Sequence, residues 1–127
     1  MKQSIHTDLA PKALGPYSQA IKSGSTIYCS GQIPLDPKTG NLVSGDIATE
    51  TRQVMENLKA VLQEAGASFK DVVKTTIYLQ DLKNFSTVNE IYASYLEAPY
   101  PARATFEVAG LPLGASVEIE MIAHCDS

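Results

Sequence analysis

The chain has only two cysteines, Cys29 and Cys125, far apart and in no metal-ligand spacing. That rules out a disulfide framework or a cysteine-rich zinc site and fits a reducing compartment. Histidine is equally scarce. His6 and His124 sit near the two ends, and neither stands beside a serine or cysteine in a nucleophile elbow, which makes a catalytic triad a poor explanation. No CxxC, HExxH, GxxxxGK or GxGxxG occurs, so no metal site or nucleotide cofactor is expected. Cationic residues are outnumbered, with 10 Lys+Arg against 14 Asp+Glu, a net charge of -4 and a pI near 5.0. A phosphate backbone or anionic membrane needs a basic patch, so no nucleic-acid or membrane partner is expected. No apolar run approaches the roughly 20 residues of a membrane span, and Met1 to His6 lacks a signal-peptide core, so the expected localisation is cytoplasmic. Without a linker, repeat or low-complexity stretch, residues 1–127 are expected to form one domain, long enough to bury its core unaided.

What is present alternates between strand and helix patterns. Ser18 to Ser23 and Thr26 to Ser30 flank Gly24-Ser25, a two-residue loop with glycine first, which predicts a tight hairpin. Asp36 to Asn41 is a turn cluster. Asp46 is a good N-cap for a helix whose apolar stripe is Ile47, Thr51, Val54, Leu58, Val61, Leu62 and Ala65, stopped by Gly66. Val73, Thr75, Ile77 and Leu79 then alternate with polar or larger residues as a half-buried strand. A second amphipathic helix is expected to begin near Asn84 or Ser86 and to carry Phe85, Val88, Tyr92, Tyr95 and Leu96, with Pro99 and Pro101 ending it. Two further strands follow. The order hairpin, helix, strand, helix, two strands predicts an α+β domain with two helices on one face of a mixed sheet. Cys29 reads as a small buried hydrophobe on the face of Ile27.

The last two strand segments carry opposite charges. Alternation puts Phe106 and Val108 on one face with Val117, Ile119 and Met121, and Arg103, Thr105, Glu118 and Glu120 on the other. A guanidinium is a rigid fork of donors matched to a carboxylate, so this face could bind an anion; it could equally be a solvated face with weak cross-strand pairs. The sheet face opposite the helices, with Tyr28, Ser30, Thr76, Tyr78, Arg103, Thr105, Glu118 and Ile122, is too apolar to be exposed and too charged for a simple core. Burial against copies of the same chain would resolve that, which predicts an oligomer with polar grooves between subunits.

Gly15-Pro16-Tyr17-Ser18-Gln19-Ala20, Ser30-Gly31-Gln32-Ile33-Pro34, Asn57-Leu58, Val73-Lys74-Thr75-Thr76, Val88-Asn89, Pro101-Ala102-Arg103 and Val117 to Ala123 together resemble the RidA/YjgF family of enamine/imine deaminases. The resemblance implies a chorismate-mutase-like fold with about six strands, a homotrimer whose sheets make a barrel, and clefts between subunits. It also implies hydrolysis of 2-imino acids, such as 2-iminobutanoate and 2-iminopropanoate, to 2-oxo acids and ammonia. No metal or cofactor is implied, and the substrates come from pyridoxal-phosphate-dependent dehydratases. Residue by residue, it implies Arg103 as carboxylate clamp, Glu118 as the acid that activates water, and Tyr17, Ser30, Gly31, Asn89 and Thr105 as pocket residues. Thr105 departs from the cysteine found there in many members. Glu120 is assigned to structural ion pairing. Alternatives are a non-catalytic 2-oxo acid-binding regulator, or the translation inhibition and endoribonuclease activity described for some relatives.

Overall fold

The computed structural model describes residues 1–43 and 45–126. Six strands form one sheet: β1 (Lys2–Ile5), β2 (Ala20–Ser23), β3 (Thr26–Gln32), β4 (Val72–Leu79), β5 (Ala102–Glu107) and β6 (Val117–His124), in the spatial order β1-β2-β3-β6-β4-β5. Helices α1 (Ile47–Glu64) and α2 (Phe85–Ser94) cover one face. The six-stranded α+β architecture expected from the sequence is present, and β1 adds a strand that the periodicity did not reveal.

Local chemistry explains the elements. The β2–β3 hairpin turns at Gly24, which has φ +60. Asp46 caps α1 by accepting from the Thr49 amide at 2.8 Å. At the other end Gly66 adopts φ +85, and the amides of Gly66 and Ala67 return to the carbonyls of Gln63 and Leu62. Along α1, Val54, Leu58, Val61 and Leu62 are fully buried, each contributing about 1.5–3 kcal/mol relative to exposure. They pack on Ile27, Ile77, Ile119 and Met121 of the central strands.

Strands β3 and β4 both run antiparallel to β6, which lies between them, while β5 pairs with β4 in parallel through the α2 crossover. This topology corrects two expectations. The two C-terminal strands do run in opposite directions, but they do not pair, because β4 separates them. The faces also differ from those assigned by alternation. Residues opposite one another in a ladder share a face, and the register sets Thr75 against Arg103 and Met121, and Ile77 against Thr105 and Ile119. Arg103 and Thr105 therefore belong to the helix-covered face. The open face instead holds Tyr78 with Phe106 and Glu118, and Thr76 with Glu120. Phe106, expected among the core residues, is half exposed there and stacks on Tyr78.

Two irregularities re-aim side chains. In β4 a register shift between Val72 and Lys74 leaves Val73 half exposed and puts Val72 in the core position predicted for it. In β3 the register shifts between Cys29 and Gln32, so that Ser30 and Gly31 together oppose one residue of β6.

Candidate functional site

All the site residues expected from the sequence except Thr105 fall into two clefts. The first, of about 410 Å³, opens beside the β3 bulge and is lined by Tyr17, Ser30, Gly31 and Glu118, together with Pro11, Lys12, Gln32, Ile33, Leu35 and Pro112. Bulge and glutamate are fitted to one another: a Cβ built on Gly31 would lie 2.9 Å from the Glu118 carboxyl carbon, inside van der Waals contact. Here glycine makes room for a protein carboxylate. The strand exit after Gly31 is held by Asn57, a fully buried amide that donates to the carbonyls of Leu35 at 2.9 Å and Ile33 at 3.4 Å. Ser30 donates its hydroxyl to the Ser18 carbonyl at 2.6 Å, tying the Tyr17 loop to β3. That leaves its oxygen to accept from a ligand, while the Tyr17 ring stands half exposed at the rim.

Burial first, and then the negative charge of Glu120, hold the Glu118 carboxyl above its ordinary pKa. A carboxylate so placed binds a proton more readily than a free one, which suits a general base. Among the described residues Glu120 makes no ion pair of the kind expected of it. Its carboxylate accepts from the Tyr78 hydroxyl at 2.5 Å, and that hydrogen bond first, then burial and the negative charge of Glu120, raise the tyrosine pKa.

The second cleft, of about 450 Å³, lies on the helix side and is lined by Asn89, Tyr92, Ala93, Tyr100, Pro101 and Arg103. The α2 crossover builds it. Arg103 donates from Nη1 to the Asn89 side-chain oxygen at 2.5 Å, and its guanidinium carbon lies 5.3 Å from the ring centroids of both Phe85 and Tyr92. Tyr92 is fixed in turn by a 2.7 Å hydrogen bond with the buried Thr75 hydroxyl. One nitrogen of the fork is thus oriented by Asn89, and the rest of it remains for a planar anion. Sequence reasoning named Arg103 and Asn89 and did not name the aromatic pair around the guanidinium. The signal was available, since Phe85, Asn89 and Tyr92 recur at one-turn spacing on a helix.

Thr105 lines neither cleft. Opposite Ile77 on the helix-covered face, its hydroxyl is buried without a hydrogen-bond partner among the described residues. Cys29 is buried, and desolvation pushes its thiol up to about 12, as expected of a structural cysteine. The Arg103 and Glu118 clefts lie on opposite faces of the same sheet, so one copy of the chain does not present both groups to one small ligand.

Among the described residues no group of three or more His, Cys, Asp or Glu is arranged to hold a metal ion, and no helix is long and apolar enough to cross a membrane. Comparison with known proteins is consistent in direction. Residues 7–125 match the family model described as Endoribonuclease L-PSP. The chain is 53% identical over 124 residues to a RutC family protein of Pyrococcus horikoshii, covering 98% of each. It is 50% identical over 123 residues to the human 2-iminobutanoate/2-iminopropanoate deaminase, covering 97% of this chain and 90% of that one. A solved structure of a Rid family protein from Yersinia pestis is similar with a TM-score of 0.95 and 52% identity, covering 98% and 99%.

Proposed function

The chain belongs to the endoribonuclease L-PSP family, the RidA/YjgF proteins, and on that premise we propose that it hydrolyses 2-imino acids to 2-oxo acids. The observation that carries the proposal is the pair of groups the chemistry needs: a pre-oriented guanidinium and a carboxylate of raised basicity. The fork of Arg103 takes the substrate carboxylate, with Asn89, Phe85 and Tyr92 fixing its plane. Glu118 holds a water over the adjacent C=N carbon and accepts its proton. The new C–O bond forms as the C=N π pair moves to nitrogen. The proton returns to that nitrogen, the C–N bond breaks as the carbonyl forms and the hydroxyl proton passes to Glu118, and ammonia leaves, taking that proton away as ammonium. An imine protonated on nitrogen is already electrophilic, so the reaction needs no cofactor.

Because the two clefts lie on opposite sheet faces, a complete site joins the Arg103 cleft of one copy to the Glu118 cleft of another. The half-exposed Tyr28 and Phe106 on the open face support such association, and a homotrimer closed through its open sheet faces is the arrangement we propose. Its substrates include the reactive products of pyridoxal-phosphate-dependent dehydratases. Nucleic acid is a weaker reading despite the family's name, because the chain carries a net charge of -4.

The test couples a threonine dehydratase to the protein and follows imine decay with and without it. Sedimentation gives the oligomer. Arg103→Ala and Glu118→Gln are each expected to be inactive alone, whereas mixed oligomers refolded from both regain a fraction of activity at sites that combine the two intact halves. No acceleration by the unaltered protein would defeat the enzyme reading and favour a 2-oxo acid sensor. Failure of the mixture to recover would defeat the shared site.

A further inference from the structure

The segment between β1 and β2 has no regular secondary structure, yet it is firmly placed. Gln19 is 2% exposed and spends its amide on this loop. Its Oε1 accepts from the Thr7 amide at 2.7 Å, while Nε2 donates to the carbonyls of Thr7 at 3.0 Å, Ala10 at 3.3 Å and Pro11 at 2.7 Å. Ala10 is buried as well. The chain is therefore anchored up to the residue before Lys12, which fixes the backbone from which that lysine projects. Lys12 is the only Lys or Arg lining the cleft that holds Glu118, and among the described residues no carboxylate pairs with its ammonium.

The size of this cleft is the second observation. At about 410 Å³ in one copy of the chain, before a second copy closes over it, the cleft extends beyond what a three- or four-carbon imino acid occupies. Pro11, Ile33, Leu35 and Pro112 supply apolar wall beyond the glutamate, against which methylene groups can lie. A cation at the rim, an apolar wall and a general base together describe a substrate with an acidic group at its far end.

We propose that Lys12 is a specificity-determining residue and that the Glu118 cleft takes 2-imino acids bearing a second, distal carboxylate. The inference rests on the imine-hydrolysing reading above. Arg103 of another copy holds the carboxylate next to the imine carbon, and Lys12 holds the one at the end of the side chain. An ammonium on a flexible stem suits this second role because, as a point charge without a fixed fork, it can follow side chains of different length.

The experiment compares the unaltered protein with Lys12→Met, Lys12→Arg and Lys12→Glu. Each is given imines made in situ by oxidising alanine and glutamate, and each is titrated calorimetrically with pyruvate and 2-oxoglutarate. The unaltered protein should favour the dicarboxylic member of each pair. Lys12→Met should lower that preference by about fivefold, the scale of one partly exposed charge pair. Lys12→Arg should retain it, Lys12→Glu should reverse it, and added salt should weaken it. Thermal melts check that the variants are folded. An unchanged ratio in Lys12→Met, equal loss on both substrates, or a preference of the unaltered protein for the monocarboxylic imine would overturn the assignment. Turnover of the alanine-derived imine with none of the glutamate-derived one overturns this inference alone. Absence of turnover and binding with every substrate overturns the hydrolase reading and this inference with it.

Discussion

Replacing Gly31 by alanine separates activity from stability more cleanly than removing a charged group. Gly31 is not in the left-handed region, so alanine can adopt its backbone, and the smaller entropy of the unfolded chain then favours folding by about 0.4–1 kcal/mol. Against this, the new Cβ meets the Glu118 carboxyl carbon at 2.9 Å, and the side chain must leave its position. The end of a flexible, partly exposed glutamate can do so, at about 0.5–1.5 kcal/mol if it is forced off a rotamer minimum. The two effects nearly cancel, which leaves the melting temperature within about 5 °C of the unaltered protein. Activity should not survive so well. A reacting group displaced by about 1 Å can lower the rate on the order of 10²-fold, and Gly31→Ala displaces the carboxylate at least that far. Imine decay measures the loss. Titration with a 2-oxo acid should still show binding through the untouched Arg103 half, and Gly31→Ala combined with Glu118→Gln should be no slower than Glu118→Gln alone. Near-normal turnover by Gly31→Ala would refute the placement of Glu118 as base.

The two glutamates of β6 should separate by pH profile. Glu118→Gln should lose on the order of 10²-fold in turnover. Because its carboxyl pKa is raised in the folded chain, the native state loses stability as pH rises through the window between the unfolded value and the raised one, so removing the charge should leave the melting temperature at pH 7 unchanged or higher. Glu120→Gln removes a cause of that raised value, so the acidic limb of kcat/KM, where activity falls as Glu118 takes up its proton, should move to lower pH while turnover at pH 7 persists. An unmoved limb would show that Glu120 does not act on Glu118. Iodoacetamide should leave hydrolysis intact, because Cys29 is buried with a thiol pushed up to about 12; inactivation that tracks Cys29 modification would contradict its structural role.

Much of the architecture was legible in the sequence because its signals are local. A capping aspartate, a stripe of apolar residues and a stopping glycine delimit α1, and the glycine-first turn marks the β2–β3 hairpin. Alternation was less informative across strands. It states which residues of one strand share a face, but relating two strands requires knowing whether they pair, and the insertion of β4 between β5 and β6 is a long-range choice. That is why Arg103 and Thr105 were expected beside Glu118 although the sheet separates them. The Val73 error is of another kind: a bulge shifts the alternation by one residue, and the apolar pair Val72-Val73 can serve either register. Lys12 gave no signal at all. Only the buried amide of Gln19, bonded to a loop with no periodicity, places it at the cleft.

The central position of β6 has a consequence for how the chain acquires its reactive groups. This last strand closes the gap between β3 and β4, so until it is in place the sheet is two separate ribbons. The Arg103 cleft draws on residues 75–103, a contiguous stretch that can organise as β4, α2 and β5 come together. The Glu118 cleft joins a loop near the beginning of the chain to a strand near its end. A chain ending before Val117 would thus be missing its base and the middle of its sheet at once. Folding and chemistry depend on the same eight residues, so a partly made molecule that already held its carboxylate-binding arginine would still have no base with which to act.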